Sequence, residues 1–188
     1  ALLEQLEAAR KTLKDAQDAL EVARRAVKGQ PESDEAWCVL GLAEQGLRNW
    51  RTAEEHHRKA LQLNERSGMA MLNLAIVLKF QGKVEEALPL AEESCKFPAL
   101  GARPHFEVGG CYLALGRNGD ALAHFLKSTE IDAAFGDAWI NAALSAGGYA
   151  DISASIDSTN GRIVINDSTG TRQLEVSEGG NGTTAHDL

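Results

Sequence analysis

Aromatic residues and prolines are scarce in this sequence of 188 residues: aromatics make up 5%, and there are 4 prolines. Few aromatics beside 44% hydrophobic residues, rich in Ala and Leu, favour closely packed helices over a β-sandwich. The three cysteines, Cys38, Cys95 and Cys111, include no Cys-x-x-Cys pair, which excludes the usual spacing of a disulfide framework. We therefore expect reduced thiols and a cytoplasmic protein.

Basic residues are also in the minority, since 19 Lys and Arg stand against 27 Asp and Glu and the net charge is −8. No run of Lys or Arg stands out, so a nucleic-acid partner is not expected. No stretch approaches the roughly 20 apolar residues that a membrane span needs. Residues 1–6 lack the basic end and the apolar block of a signal peptide, and the sequence predicts a soluble chain.

The sequence repeats itself with a period of 34 residues and without an insertion between the units. In the first half of each unit a large residue, an apolar residue and a small residue recur at the same places. These three sets are Trp37, Met71, His105 and Trp139; Leu40, Leu74, Val108 and Ala142; and Gly41, Ala75, Gly109 and Ala143. In the second half, an alanine recurs at Ala53, Ala87 and Ala121.

This pattern predicts two antiparallel helices in each unit. Small residues such as Gly41 and Ala53 allow the two helix backbones to approach closely. Gly82 and Gly116 mark the turn between the helices, and Arg48 with its neighbour Asn49 takes the same place in the first unit. Because one unit is too small to bury its own apolar face, the units must stack on one another.

These residues resemble the tetratricopeptide repeat family, which has Trp-x-x-Leu-Gly in the first helix of a unit and Ala, then Ala-Leu, in the second. The resemblance covers three full units at 34–67, 68–101 and 102–135 and the first helix of a fourth at 136–146. It implies an all-α solenoid of helix-turn-helix units over residues 1–146. The sequence departs from the family where Glu65 and Ala133 replace the closing proline, and where His105 replaces an aromatic or aliphatic residue.

The segment before the clear repeats, residues 1–33, has apolar residues in the same phase but no turn glycine. We interpret it as a degenerate first unit. The alternative is one continuous helix over 2–28, because no residue in that range breaks a helix.

The pattern changes at Gly147-Gly148, after which residues 149–188 form a separate β-rich segment. Short runs at 152–156, 162–165 and 173–176, joined by Asn-Gly and Thr-Gly, predict a three-stranded β-meander. The segment is similar to small β segments of flagellins and hook–filament junction proteins at 157–159, 163–168 and 181–188. One explanation is a fusion, in which a binding protein is tethered to a fragment of its own partner at a millimolar effective concentration. The other is a natural β appendage that caps the open end of the solenoid.

The resemblance implies that the first helix of each unit lines a concave wall, and the positions of that wall are mostly apolar in this sequence. An exposed apolar stripe of this extent is typical of a binding site. The predicted partner-binding residues are Cys38, Leu42, Leu72, Ile76, Phe80, Phe106, Gly110, Leu113, Ile140 and Leu144.

One known groove of the family, the dicarboxylate clamp for the C-terminal tails of heat-shock chaperones, does not fit this sequence. Cys38 and Leu42 occupy its first two places, and Glu107 stands where a basic residue is required. Asn73 and Arg103 match. The lost cationic contacts are each worth roughly 1.5–3 kcal/mol, so we reject the clamp.

We expect no metal site, no cofactor and no catalytic residue. His56 and His57 are adjacent on a helix and point in directions about 100° apart, so they cannot readily chelate one metal ion. His105 and His124 share a unit but lack a convincing third ligand. A Cys111–His124 pair is formally a nucleophile with its base, but Cys111 lies on a packed helix, and an inert buried thiol is the interpretation we favour.

The sequence therefore predicts a non-enzymatic adaptor or chaperone that holds a protein or peptide segment in an apolar groove. In a sharper form of this hypothesis the partner is a flagellar or secreted filament protein. One alternative is an interaction module severed from a larger enzyme, such as a glycosyltransferase. Another is a self-associating scaffold, since the partial unit at 136–146 leaves an apolar end exposed.

Overall fold

The computed structural model describes residues 2–132, 152–157, 162–167 and 173–176, with side chains described for 10–132. The first of these ranges is helical. Its helices are α1 (Leu2–Gly29), α2 (Asp34–Gly46), α3 (Trp50–Leu63), α4 (Gly68–Phe80), α5 (Val84–Ser94), α6 (Arg103–Ala114) and α7 (Asn118–Ile131), with a 3-10 turn at Pro98–Leu100.

The helices after α1 pack as three successive hairpins, α2 with α3, α4 with α5 and α6 with α7. The first helices of the hairpins also contact one another, α2 with α4 and α4 with α6. These three helices therefore form one continuous layer, which we call the first-helix wall. The second helices, α3, α5 and α7, form the other layer.

The three hairpin turns have the same geometry. Arg48, Gly82 and Gly116 lie 34 residues apart and have φ values of 60°, 78° and 73°. One residue later, a backbone N–H reaches back five residues at 2.9 Å in each turn: Asn49 to Glu44, Lys83 to Leu78 and Arg117 to Tyr112. Left-handed φ and this hydrogen bond are the Schellman ending of a helix. The predicted turns are at these positions, and Arg48 adopts there a conformation that costs a residue with a Cβ about 1–2 kcal/mol.

A small residue on the first helix of each hairpin faces a specific residue on the second helix. A Cβ added to Gly41 would collide with the His57 ring, and one added to Gly109 would lie 2.7 Å from Cε1 of Phe125. In the middle hairpin the equivalent positions are Ala75 and Ala91, both in the largest buried cluster. Glycine is thus required where the facing side chain is a ring, whereas alanine suffices where it is a methyl group.

Residues 2–29 form a single helix, α1, and not the helix pair of a degenerate unit. The reason is that this segment has neither the turn glycine of the later units nor a proline, so nothing ends the helix before Gly29. The end of α1 packs on α2 through Leu20, Ala23 and Leu40. The guanidinium of Arg24 also contacts the buried carboxylate of Glu44 at 3.3 Å.

Three strands follow in the C-terminal segment: β1 (Ile152–Asp157), β2 (Arg162–Asp167) and β3 (Gln173–Val176). They pair antiparallel in the order β1-β2-β3, with Ile156 opposite Ile163 and Ile165 opposite Leu174. The partial unit at 136–146 and the remaining residues of 149–188 lie outside the described residues, and the division of the chain into these domains stays a prediction. No helix in the described part of the chain is both long and apolar enough to cross a membrane.

We predict that His57→Phe removes part of the acid sensitivity of folding. His57 is fully buried, which lowers its pKa from 6.5 to about 4. Between these two pH values the unfolded chain binds a proton that the native state excludes. The contribution of neutral His57 to the free energy of unfolding is therefore fully present above pH 6.5. It falls by up to about 3 kcal/mol as the pH drops towards 4. Phenylalanine cannot bind this proton, and the equivalent pair of Gly109 and Phe125 shows that a phenyl ring fits opposite glycine.

The measurement is the free energy of unfolding by urea at several pH values for the native sequence and the variant. Because burial also lowers the pKa values of His56, His105 and His124, both proteins lose stability in acid. The difference between the two curves isolates His57. Parallel curves would contradict the prediction.

Candidate functional site

The structure divides the predicted groove residues into exposed, partly buried and buried ones. Leu42 and Phe80 are 43% and 61% exposed. Phe106, Gly110 and Leu113 on α6 are partly buried. Three others, Cys38, Leu72 and Ile76, are buried, so their side chains are inside the protein and not available to a partner. The last two, Ile140 and Leu144, lie outside the described residues.

Two exposed apolar residues of the first-helix wall are absent from the predicted set. Val39 is exposed on α2, and Met69 is exposed at the start of α4. Val39 belongs to the exposed face of α2, with Glu35 one turn before it and Leu42 one turn after it. The spacing of four and three residues could have identified this face, but the resemblance selected Cys38, which is one position away and buried.

Phe80, at the end of α4, is the most exposed aromatic side chain of the wall and is held in place by its neighbours. Its ring stacks on Trp50 with the ring centroids 4.8 Å apart and the planes 8° from parallel. The next residue, Gln81, donates a hydrogen bond from Nε2 to the carbonyl oxygen of Trp50 at 3.1 Å. An exposed ring that is already fixed loses little side-chain entropy when a partner covers it.

The wall also contains charged residues beside its apolar ones. Glu107 on α6 is 2% exposed and lies between two cations. Its Oε2 accepts from Lys79 Nζ at 2.6 Å, and its Oε1 accepts from Arg103 Nε at 2.6 Å. Lys79 crosses from α4 to α6 over Gly110, where an added Cβ would lie 2.9 Å from Nζ. We call Lys79, Arg103 and Glu107 the charged triad.

The charged triad occupies the place where the dicarboxylate clamp would need a free basic residue. Both cations are bound to Glu107. The other matching residue, Asn73, is buried. This geometry agrees with the rejection of the clamp.

The cysteines and histidines within residues 10–132 are all at least partly buried, and Cys95 Sγ lies 3.8 Å from His105 Nδ1. Burial raises the pKa values of Cys38, Cys95 and Cys111 to about 11, so none of the three supplies a thiolate at neutral pH. His124 lies beside His105, with the two Nδ1 atoms 3.2 Å apart, and the hydrogen bonds of the described residues include none from His124 to Cys111. No group of three His, Cys, Asp or Glu in the described part of the chain is arranged to hold a metal ion.

A groove lies on the other layer. It is an open groove of about 530 Å³ between α3 and α5, with Leu61, Pro89 and Leu90 in its lining. Arg58 and Glu86 form an ion pair between these helices, which ties the first hairpin to the second. None of the predicted groove residues lies in this lining.

Comparison with known proteins identifies the repeat and the fold. Residues 68–97 match the family model described as Tetratricopeptide repeat. No curated protein is similar enough in sequence to match the chain.

Several solved structures have the same fold. MamA 41-end from Desulfovibrio magneticus RS-1 has 17% identity and a TM-score of 0.64, over 77% of this chain and 82% of that chain. TTC0263, a thermophilic TPR protein of Thermus thermophilus, has 21% identity and a TM-score of 0.61, over 71% and 74%. YrrB, a TPR protein with an unusual peptide-binding site, has 21% identity and a TM-score of 0.59, over 74% and 72%. The predicted tetratricopeptide-type helical solenoid is therefore confirmed.

We predict that Glu107→Gln lowers the free energy of unfolding by about 1–3 kcal/mol, because two charge-assisted hydrogen bonds in a buried place are weakened and two cations lose their counter-charge. The matched control is Glu93→Gln. Glu93 also pairs with a lysine, Lys96, but both side chains of that pair are well exposed. An exposed pair contributes less than about 1 kcal/mol. Urea unfolding at pH 7 measures both values, and equal losses would show that the triad contributes no more than a surface pair.

Proposed function

On the premise that this chain carries a tetratricopeptide repeat and folds as a tetratricopeptide-type solenoid, we propose that it is a non-enzymatic adaptor that binds an apolar segment of a partner protein along the first-helix wall. The observation that supports this most directly is the exposure of Leu42 and Phe80, two large apolar side chains on adjacent helices of one layer. Exposed apolar side chains grouped on one surface are typical of binding sites.

The proposed site is smaller than the predicted one, and it differs in its residues. The middle of α4, with Leu72 and Ile76, forms part of the protein interior. The accessible apolar surface includes Val39 and Leu42 on α2, Met69 at the start of α4, and Phe80 with its stacked Trp50. A partner segment that covers these residues would gain about 25 cal/mol of free energy for each Å² of apolar surface that is buried. Because the wall is already folded, binding would not require it to become ordered first.

The charged triad limits the kind of segment that fits. Since Glu107 already binds both Lys79 and Arg103, a partner carboxylate would have to share these cations with an internal carboxylate that is held at 2.6 Å on each side. Apolar contacts, and not recognition of a C-terminal carboxylate, therefore supply the affinity in this proposal. An aliphatic or aromatic segment in an extended or helical conformation is the matching ligand.

In its sharper form the proposal makes the chain a cytoplasmic chaperone-type adaptor whose partner is a flagellar or secreted filament protein. The support is the similarity of residues 149–188 to β segments of flagellins and hook–filament junction proteins. If that segment is a fragment of the partner, the chain contains a binding protein joined to part of its client. A tether of this kind keeps even a weak complex assembled, because the effective concentration is in the millimolar range.

We predict that the double variant Leu42→Glu/Phe80→Glu loses its partner while keeping its helix content. Residues 1–146, immobilised without the tail that could itself occupy the wall, are used to capture partners from a cell extract, and the captured proteins are identified by mass spectrometry. Each buried carboxylate in an apolar contact costs several kcal/mol, so at least a roughly 100-fold loss of capture is expected. Val22→Glu on α1 is the control, since Val22 is also well exposed but lies outside the wall. Equal capture by the double variant and the control would place the site elsewhere.

We predict that a synthetic peptide of residues 149–188 competes with the captured partner if the tail is a client fragment. The peptide in excess should release a filament protein from the immobilised chain, because both would occupy the same wall. A peptide with the same composition in scrambled order is the control. If neither peptide releases the captured protein, the proposal of a filament partner loses its support. The adaptor proposal is tested separately, by the double variant.

A further inference from the structure

The third hairpin contains two neighbouring histidines that the proposed function does not use. His105 lies in the first turn of α6, and His124 lies in the middle of α7. Their Nδ1 atoms are 3.2 Å apart, and both side chains are partly buried. We call His105 and His124 the histidine pair.

The histidine pair is held in place by the packing of α6 on α7. Phe106 and Phe125 each follow one of the two histidines directly, and the centroids of their rings are 5.6 Å apart. The Phe125 ring also lies against Gly109, where an added Cβ would be 2.7 Å from it. The residues next to the two imidazoles thus form the contact between the helices, and this contact fixes the distance between the imidazoles.

The distance within the histidine pair is close to that between two ligands of one metal ion. An imidazole nitrogen binds Zn²⁺ at 2.0–2.1 Å, and two such bonds at a tetrahedral angle place their nitrogens about 3.3–3.4 Å apart. The observed distance between the Nδ1 atoms is 3.2 Å. The ring centroids are farther apart, at 5.4 Å, so the two rings present their Nδ1 edges to each other.

A hydrogen bond between the two Nδ1 atoms accounts for the same distance and is compatible with binding of an ion. In that bond one neutral imidazole donates from Nδ1–H. The donor becomes a metal ligand when its proton moves to Nε2, and the ring stays neutral. Burial lowers the pKa values of both histidines from 6.5, so both rings are neutral at pH 7, which is the form that binds metal.

The charged side chains around the histidine pair leave a negative balance that favours a cation. Four of them form two ion pairs, at 2.7 and 2.8 Å, and neutralise one another. These are Arg117 with Asp120, and Lys127 with Glu130. Glu92 of α5 remains, because its carboxylate accepts a hydrogen bond from the neutral Tyr112 at 2.6 Å. The negative charge of Glu92 by itself would raise the pKa of His124, so it acts on the histidine pair.

A thiol is also close to the histidine pair. Sγ of Cys95, just after α5, lies 3.8 Å from Nδ1 of His105. Burial raises the pKa of this thiol to about 11, whereas a sulfur ligand of zinc must be a thiolate. Three donors of the kind that bind metal do not surround one point anywhere in the described ranges. Two imidazoles are therefore the protein ligands that the geometry supports.

We propose that His105 and His124 bind one Zn²⁺ ion, or a similar first-row transition-metal ion, through their Nδ1 atoms. Because both side chains are partly exposed, water can complete the tetrahedral coordination. Imidazole ligands suit zinc, copper and nickel, whereas magnesium and calcium require oxygen ligands. The bound ion links α6 to α7. This proposal replaces the expectation of no metal site, which rested on the missing third protein ligand.

The experiment is isothermal titration calorimetry of the full chain with ZnCl₂ at pH 7, and with MgCl₂ in a parallel titration. Zn²⁺ is the probe because it has no redox chemistry and leaves the thiols unoxidised. The dissociation constant for Zn²⁺ should be about 1–200 μM, because two ligands supply about half of the binding free energy of a structural zinc site. Mg²⁺ should not bind at the histidine pair.

Two substitutions remove one ligand each. His105→Phe and His124→Gln should each raise the dissociation constant at least about 10-fold, because a single imidazole remains. Phenylalanine is chosen at position 105 because an aromatic or aliphatic residue is usual there in the repeat family. Far-UV circular dichroism and urea unfolding of each variant establish that the fold is intact.

The matched control is His56→Gln. His56 is also partly buried, but its ring neighbour is Trp37, so its substitution should leave the dissociation constant unchanged. No binding of Zn²⁺ up to about 1 mM, or equal effects of His124→Gln and His56→Gln, would overturn the proposal. Cys95→Ala should change the dissociation constant less than about 3-fold. A loss as large as that of His124→Gln would overturn the assignment of two protein ligands.

Imidazole NMR identifies the ligand atoms. In long-range ¹H–¹⁵N spectra, Zn²⁺ should shift the Nδ1 resonances of His105 and His124 and leave the proton of each ring on Nε2, because binding of a metal fixes the tautomer. The resonances of His56 should not move. Two rings that keep their protons on Nδ1 when Zn²⁺ is bound would contradict coordination through this atom and overturn the proposed geometry.

Discussion

The structure depends on one steric constraint, which is the close approach of two helices at the same place in every hairpin. Gly41, Ala75 and Gly109 leave room on the first helix for whatever the second helix presents there: the His57 ring, a methyl group or the Phe125 ring. This complementarity sets the distance between the two layers. Successive first helices are also in contact, and together they form the continuous wall on which we propose that a partner binds.

Much of this could be predicted because it is local and periodic. The turn at Arg48 follows from its position 34 residues before Gly82, even though arginine is a poor residue for a left-handed φ. Burial could not be predicted in the same way. Leu72 and Ile76 have the pattern of exposed groove positions, but their exposure depends on how closely the neighbouring first helices approach. The helix pair predicted for residues 1–33 is absent because a phase match without a turn residue does not end a helix.

The charged triad shows a second reason why sequence patterns are insufficient. Glu107 by itself is only the wrong residue for a carboxylate-binding groove. Its role in the fold depends on Lys79, which is 28 residues earlier and reaches it because Gly110 has no side chain. A buried carboxylate would be costly alone, but two cations at 2.6 Å stabilise it. The proposed wall is therefore apolar at Leu42 and Phe80, whereas the charged triad of two cations and one carboxylate keeps a net positive charge.

The same rule of a small residue opposite a large one connects the hairpins to α1. Within the solenoid, glycine and alanine on one helix accommodate a larger side chain on the next. On α1, Leu20 and Ala23 are buried against Leu40 of α2, and Val27 packs against the same cluster. A solenoid of stacked units necessarily exposes an apolar face at its end unless a terminal helix covers it. Helix α1 packs on α2 through these residues, so the packing rule that holds within the hairpins also holds between α1 and the first of them.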